Sequence, residues 1–377
     1  MRNIIDYVEA ELHTLASKPF SPVDSLVLSQ FSYIHLGGLI PARPGRVKMK
    51  DLLRAEHFES MFRGVRDAPD NRRLLFALAA SPRFREMGVT AYVEDTDEAL
   101  EKQFAAVTIL LDANKAYLAF RGTDATLVGW KEDFNMAFET VPSQEAAAHY
   151  TARVAATWAG NLYLGGHSKG GNLAVYGAMM SSPAVQARIQ SVYSHDGPGF
   201  REDVFESGAF SRIRERIHKT LPESSLIGML LENQEAYTVV QSNRLGLMQH
   251  DPFSWRVGED GGFITAPRLS TGAQYMNKTL RDWLCALSPE RRERFVDALF
   301  AVLSASPAKS FSDFSENWQK DLANMLLAIR NTDEETRAFV VQTLKALAVM
   351  AVKNLPMVEG EQRKPGPDGQ KELTEGG

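Results

Sequence analysis

The run NLYLGGHSKGGNLAVYGAMM, residues 161–180, decides the fold of this chain. Leu162-Tyr163-Leu164 near its start are apolar and β-prone, and the stretch after Gly170 is rich in small and apolar residues spaced as in a helix. Between them stands Gly166-His167-Ser168-Lys169-Gly170, a G-x-S-x-G. A nucleophile elbow needs this order. Its serine sits on a strained strand-to-helix turn, and the residues two before and two after it must be small so that strand and helix can approach. Gly166 and Gly170 fill those places, and Gly171 and Ala174 keep the helix close. A bare G-x-S-x-G arises by chance in roughly one chain in ten of this length. The flanking strand and helix therefore carry the inference. The competing reading is a glycine-rich crossover with an incidental serine. A phosphate loop is disfavoured, because no G-x-x-x-x-G-K-[ST] is present.

Outward from the elbow, short β-rich runs alternate with helical ones. VTAYVED, QFAAVTILL and KAYLAFRG precede it as strands, followed by the helix AAAHYTARVAATWA. IQSVYSHD, RIHKTLP and AYTVVQS follow it as strands. This alternation predicts an α/β core over residues 89–269 with a mostly parallel sheet. Residues 1–88 read as a helical segment containing SPVDSLVLSQFSYI, MKDLLRAEHFESMF and NRRLLFALAA. Residues 270–356 return to helical periodicity, and 357–377 read as a disordered tail. The apolar stripe of the last helix is expected to pack on the core rather than on a membrane.

Composition narrows the function classes. The 377 residues are 44% hydrophobic and 24% charged, as in globular proteins, with a net charge of -5. That balance offers no footprint for a nucleic-acid partner. The single cysteine, Cys285, excludes an internal disulfide and a cysteine-rich zinc site. The acidic N-terminal run MRNIIDYVEAELH does not read as a secretory signal, and no apolar run reaches the roughly 20 residues of a membrane span. The expectation is a cytoplasmic chain. No H-E-x-x-H or clustered acid motif is present, so neither a catalytic metal nor another cofactor is expected.

Acyl transfer at Ser168 requires two donors for the developing oxyanion. One is the backbone N–H of the next residue, Lys169; the other comes from the loop after an earlier strand. Arg121-Gly122-Thr123 closes such a strand, and Thr123 offers both a backbone N–H and a hydroxyl. Alternatively, RGTD is a simple β-turn. FRGTD…W…DF followed by GHSKGG resembles the class 3 lipases. The likeness is closer to a bacterial family of lipase-like, Mbeg-like proteins, through FRGTDATLVGWKEDF, GHSKGGNLAVY, SHDGPGF, LPESSLIGMLL and QHDPFSW, over roughly residues 20–265. The resemblance implies an α/β-hydrolase fold, Ser168 as nucleophile, and Thr123 with Lys169 at an oxyanion hole. Lys169 departs from the apolar residue of true lipases, which puts a triglyceride substrate in doubt.

The remaining roles follow from chain order: serine, then acid, then histidine. Only His195, His218 and His250 follow Ser168. His250, after the strand AYTVVQS and the turn NRLGLMQ, is where a last-strand loop would deliver an imidazole. For the acid, Asp196 ends the strand after the elbow helix, and Glu223 ends the next one, where class 3 lipases place theirs. Asp196 is preferred, with Glu223 the alternative; each could instead serve as a turn or helix-cap residue. Asp251 is expected to cap the DPFSW turn. The expected activity is hydrolysis of a carboxylic ester or thioester on a small molecule or lipid. The alternatives are acyl transfer on the same site and a non-catalytic binding protein that keeps the fold.

Overall fold

The computed structural model describes residues 2–40, 45–97, 100, 102–123, 136, 140–200, 202–205, 208–225, 227–229 and 235–274, with isolated positions beyond. The expected helices after 274 and the expected tail lie outside the described residues, as does the segment around Trp130.

All seven expected strands form where the sequence places them, and a hydrogen-bonded sheet of nine joins them with two short additional strands in strict sequence order. The strands are β1 (Val47–Lys48), β2 (Gly88–Asp97), β3 (Lys102–Leu110), β4 (Lys115–Phe120), β5 (Asn161–His167), β6 (Ile189–His195), β7 (Ile217–Pro222), β8 (Tyr237–Val240) and β9 (Thr265–Ala266). Neighbours from β4 to β8 pair parallel, whereas β1 to β4 and β8 to β9 pair antiparallel. The sheet is therefore mixed rather than mostly parallel. The reason lies in the connections. Only four residues separate β3 from β4, enough for a hairpin and too few for the crossover that parallel pairing needs.

The main helices flank the sheet, and the first two begin at side-chain caps. They are α1 (Ile4–Ala10), α2 (Pro22–Phe31), α3 (Phe58–Phe62), α4 (Ala68–Ala80), α5 (Pro142–Thr157) and α6 (Lys169–Met179). Ser21 and Asp24 form a reciprocal capping box at the start of α2, with Pro22 at its first position. The run MKDLLRAEHFESMF is not one helix. Leu53 turns at φ -76 and ψ 78, with Arg54 N–H bonding back to the Leu52 carbonyl, and this splits the run into short turns followed by α3.

Strand alternation divides the core into two layers. Ala116, Leu118, Phe120, Leu162 and Leu164 pack with α5 and α6 on one face. Tyr117, Ala119, Ile109 and Tyr193 pack with α1, α2 and α4 on the other. The N-terminal helices thus cover the central strands on one face of the sheet, with Phe253, Trp255 and Val257 packed beside them. Unidirectional strand order with right-handed crossovers puts every crossover helix on one side. The opposite side needs cover from elsewhere in the chain.

Candidate active site

Ser168 stands between β5 and α6 at φ 58 and ψ -132, a backbone conformation that costs a non-glycine residue energy. The turn is held from several sides. Ser168 N–H donates to the His195 carbonyl of β6 at 2.9 Å. A Cβ on Gly166 would lie 2.2 Å from the Gly170 carbonyl carbon, and one on Gly170 would lie 2.1 Å from the Phe120 carbonyl oxygen. No side chain fits at either glycine, so strand, helix and the end of β4 close on one another.

Two further segments converge on this serine. His250 ends a 3-10 turn, Gly246–His250, and its Nε2 lies 2.9 Å from Ser168 Oγ. Its Nδ1 lies 2.6 Å from Asp196 Oδ2. A carboxylate only accepts, so Nδ1 carries the proton and Nε2 is left to accept from the serine hydroxyl. Asp196 follows β6 at φ 51, a left-handed conformation that aspartate tolerates. Its N–H donates to the Thr220 carbonyl of β7 at 2.8 Å. Its other oxygen, Oδ1, accepts from the Ser225 hydroxyl and from Gly228 N–H at 3.2 Å. Asp196 is fully buried, Ser168 is 7% exposed and the His250 side chain 15% exposed, so solvent reaches the imidazole and the serine rather than the carboxylate.

A model of the family of Mbeg1-like proteins matches residues 78–301, more than half of the chain. The chain belongs to the Mbeg1-like family. Among solved structures, this Mbeg1-like chain is similar to the native Rhizomucor miehei lipase propeptide complex, at 13% identity and a TM-score of 0.36. That match covers 58% of this chain and 66% of the lipase chain, just under two thirds of its length. M37 lipase is similar at the same identity and TM-score, over 56% of this chain and 70% of its own. Overlaps of this extent do not define a shared fold; strand order and register describe it here. No curated protein sequence matches significantly.

The other expected site residues of the Mbeg1-like protein fall as follows. Glu223 follows β7, and its carbonyl accepts from Ser270 N–H at 2.7 Å. Its segment reaches the site through the Ser225 hydroxyl instead. Asp251 accepts from Phe253 N–H at 3.0 Å and caps the turn Pro252–Ser254. Lys169 opens α6, where backbone N–H groups point outward along the axis. Its side chain is buried, and Nζ donates to the Gln103 carbonyl at 2.9 Å. Thr123 continues β4 past Gly122, whose added Cβ would lie 3.2 Å from the Ser168 Cβ. His195 lies within the layer beneath, bonded to Ser25 Oγ at 2.9 Å, and burial pushes its imidazole down to about 3.

Sequence reasoning missed Ser225 and Gly228, which hold the second oxygen of Asp196. LPESS carried the only signal, since it places two serines beside the candidate acid. Among the described residues no cluster of three or more His, Cys, Asp or Glu is arranged to hold a metal, and no helix is long and apolar enough to cross a membrane.

Proposed function

We propose that this protein is a serine hydrolase with an α/β-hydrolase core over residues 89–269, cleaving a carboxylic ester or thioester through an acyl-enzyme. What carries the reading is one observation: a serine on a positive-φ elbow whose hydroxyl lies 2.9 Å from an imidazole, itself 2.6 Å from a buried carboxylate. Ser168 Oγ attacks the acyl carbonyl as His250 Nε2 takes its proton, and Asp196 steadies the resulting imidazolium. Backbone N–H groups of Lys169 and Thr123 stabilise the oxyanion. Collapse breaks the bond to the alcohol or thiol, which leaves with the proton from His250. Water, deprotonated by His250, then attacks the acyl-enzyme, releases the acid and restores Ser168.

The test is labelling with a fluorophosphonate probe and turnover of short aryl esters in the presence of EDTA. The expected result is a single adduct on Ser168 and activity that survives chelation. Ser168→Ala should lose the adduct and on the order of 10⁴-fold or more in turnover. Unchanged labelling of that variant would remove Ser168 as the nucleophile.

A further inference from the structure

His250 ends a single short 3-10 turn, yet its ring must hold two hydrogen bonds at once. Its own carbonyl oxygen lies 2.8 Å from Nε2 of His167, the residue before the elbow serine. A carbonyl only accepts, so His167 Nε2 carries the hydrogen. His167 is buried, and its imidazole titrates well below its ordinary value, driven down first by that burial and then by the neighbouring His250. A neutral ring with hydrogen on Nε2 has a bare Nδ1, and the Tyr33 hydroxyl lies 3.2 Å from that atom as donor. The hydrogen bonds therefore run one way: Tyr33 O–H to His167 Nδ1, and His167 Nε2–H to the His250 carbonyl.

Two neighbours tie this chain to the chemistry. The His167 and His250 rings lie 4.6 Å apart, so a charge on His167 would oppose formation of an imidazolium on His250. The neutral tautomer avoids that conflict. At the other end, a Cβ on Gly122 would lie 2.1 Å from the Tyr33 hydroxyl oxygen and 2.5 Å from the His167 carbonyl oxygen. The hydroxyl thus packs directly on the strand end that leads to Thr123. One phenol is in contact with His167, which bonds the arm holding the base, and with the strand end that leads to one expected oxyanion donor, Thr123.

We propose that Tyr33 and His167 are positioning residues, which together fix the backbone carrying His250 relative to Ser168 and the end of β4. The proposal rests on the serine-hydrolase reading. Tyr33 belongs to the N-terminal layer, upstream of residue 78 where the family match begins. That layer accordingly contributes to the working geometry of the site as well as to the core.

The experiment compares His167→Leu, His167→Gln and Tyr33→Phe with the wild-type chain. It measures kcat and KM on a short aryl ester, the rate and stoichiometry of fluorophosphonate labelling, and thermal melts. Misplacing a base by about 1 Å costs on the order of 10²-fold, so His167→Leu should lose roughly that in kcat with KM changed by no more than about threefold. Glutamine carries an amide N–H that reaches the same carbonyl, and it should recover about tenfold of the loss. Tyr33→Phe keeps the ring and should lose roughly three- to tenfold. Labelling should stay stoichiometric but slow in each variant.

A role in packing alone would lower the melting temperature and the labelled fraction while leaving the labelling rate of the folded fraction unchanged. That result overturns the proposal, as does a glutamine variant no better than leucine. If His167→Leu fails to fold, the glutamine and Tyr33→Phe variants still decide. Nitrogen-15 shifts of the imidazoles give a readout independent of turnover: hydrogen on Nδ1 of His167 would overturn the proposal directly. A wild-type chain that takes no label at Ser168 would overturn the hydrolase reading itself. Normal wild-type labelling with unaltered variants would overturn only the positioning roles.

Discussion

Asp196 and Glu223 differ in what surrounds them more than in chemistry. Both follow parallel strands, and each has the carboxylate the reaction needs. Only Asp196 has its carboxylate bonded to His250, with Ser225 and Gly228 holding the second oxygen. If it is the acid, Asp196→Asn should cut kcat by about 10³–10⁴-fold, since an amide cannot stabilise the imidazolium and imposes the wrong tautomer. Asparagine tolerates the left-handed backbone of this site, so the variant should fold. Glu223→Gln should cost roughly tenfold or less. Paired kcat measurements with melts on both variants check this, and a large loss at Glu223 alone would move the acid to the end of β7. Sequence order reached both candidates and preferred Asp196 without excluding Glu223, because the choice depends on a loop from residue 250 folding back over residue 196.

At the scale of the element, the β5–turn–α6 unit was legible to within a residue. Its signals are local: apolar alternation, two small residues at the required offsets, and a helix-forming run. The strain in the turn follows from its geometry. Ser168 at φ 58 bears a cost of about 1–3 kcal/mol that alanine would keep and glycine would relieve. Ser168→Gly should therefore be more stable than Ser168→Ala by about 1 kcal/mol, even though glycine ordinarily loses such comparisons. Denaturant unfolding of the two inactive variants measures the difference. Equal stability would mean that the turn relaxes without the serine.

At the scale of the whole molecule, charged contacts join segments that are distant in the chain. Glu94 of β2 accepts from His35 Nδ1 at 2.7 Å, Arg121 at 2.8 Å and Tyr92 at 2.6 Å. Burial pushes this carboxyl up, but those hydrogen bonds and the Arg121 charge outweigh it and hold it at about 2, against 4.5 when unfolded. A folded-state value below the unfolded one stabilises the protein above about pH 4.5, and the contribution is lost as pH falls through about 2. The melting temperature of the wild-type chain should therefore exceed that of Glu94→Gln at pH 6, with the gap closing below pH 4.5. Melts across pH 2.5–6 test this, and a gap independent of pH would remove the charge from the explanation.

The sequence by itself determined the elements, the elbow and the roster of chemical groups, because each is written in residues close together along the chain. Ser168, His250 and Asp196 were all reachable from motif and chain order. What only the tertiary structure decided was which groups meet. The antiparallel half of the sheet depends on short connections read together with pairing partners. The place of the N-terminal helices follows from all the crossover helices falling on one face, which leaves the other face for α1, α2 and α4. Tyr33 carries no motif; it reaches His167 because α2 must cover that face. Contacts of this kind depend on packing between segments over a hundred residues apart, and local pattern holds no record of them.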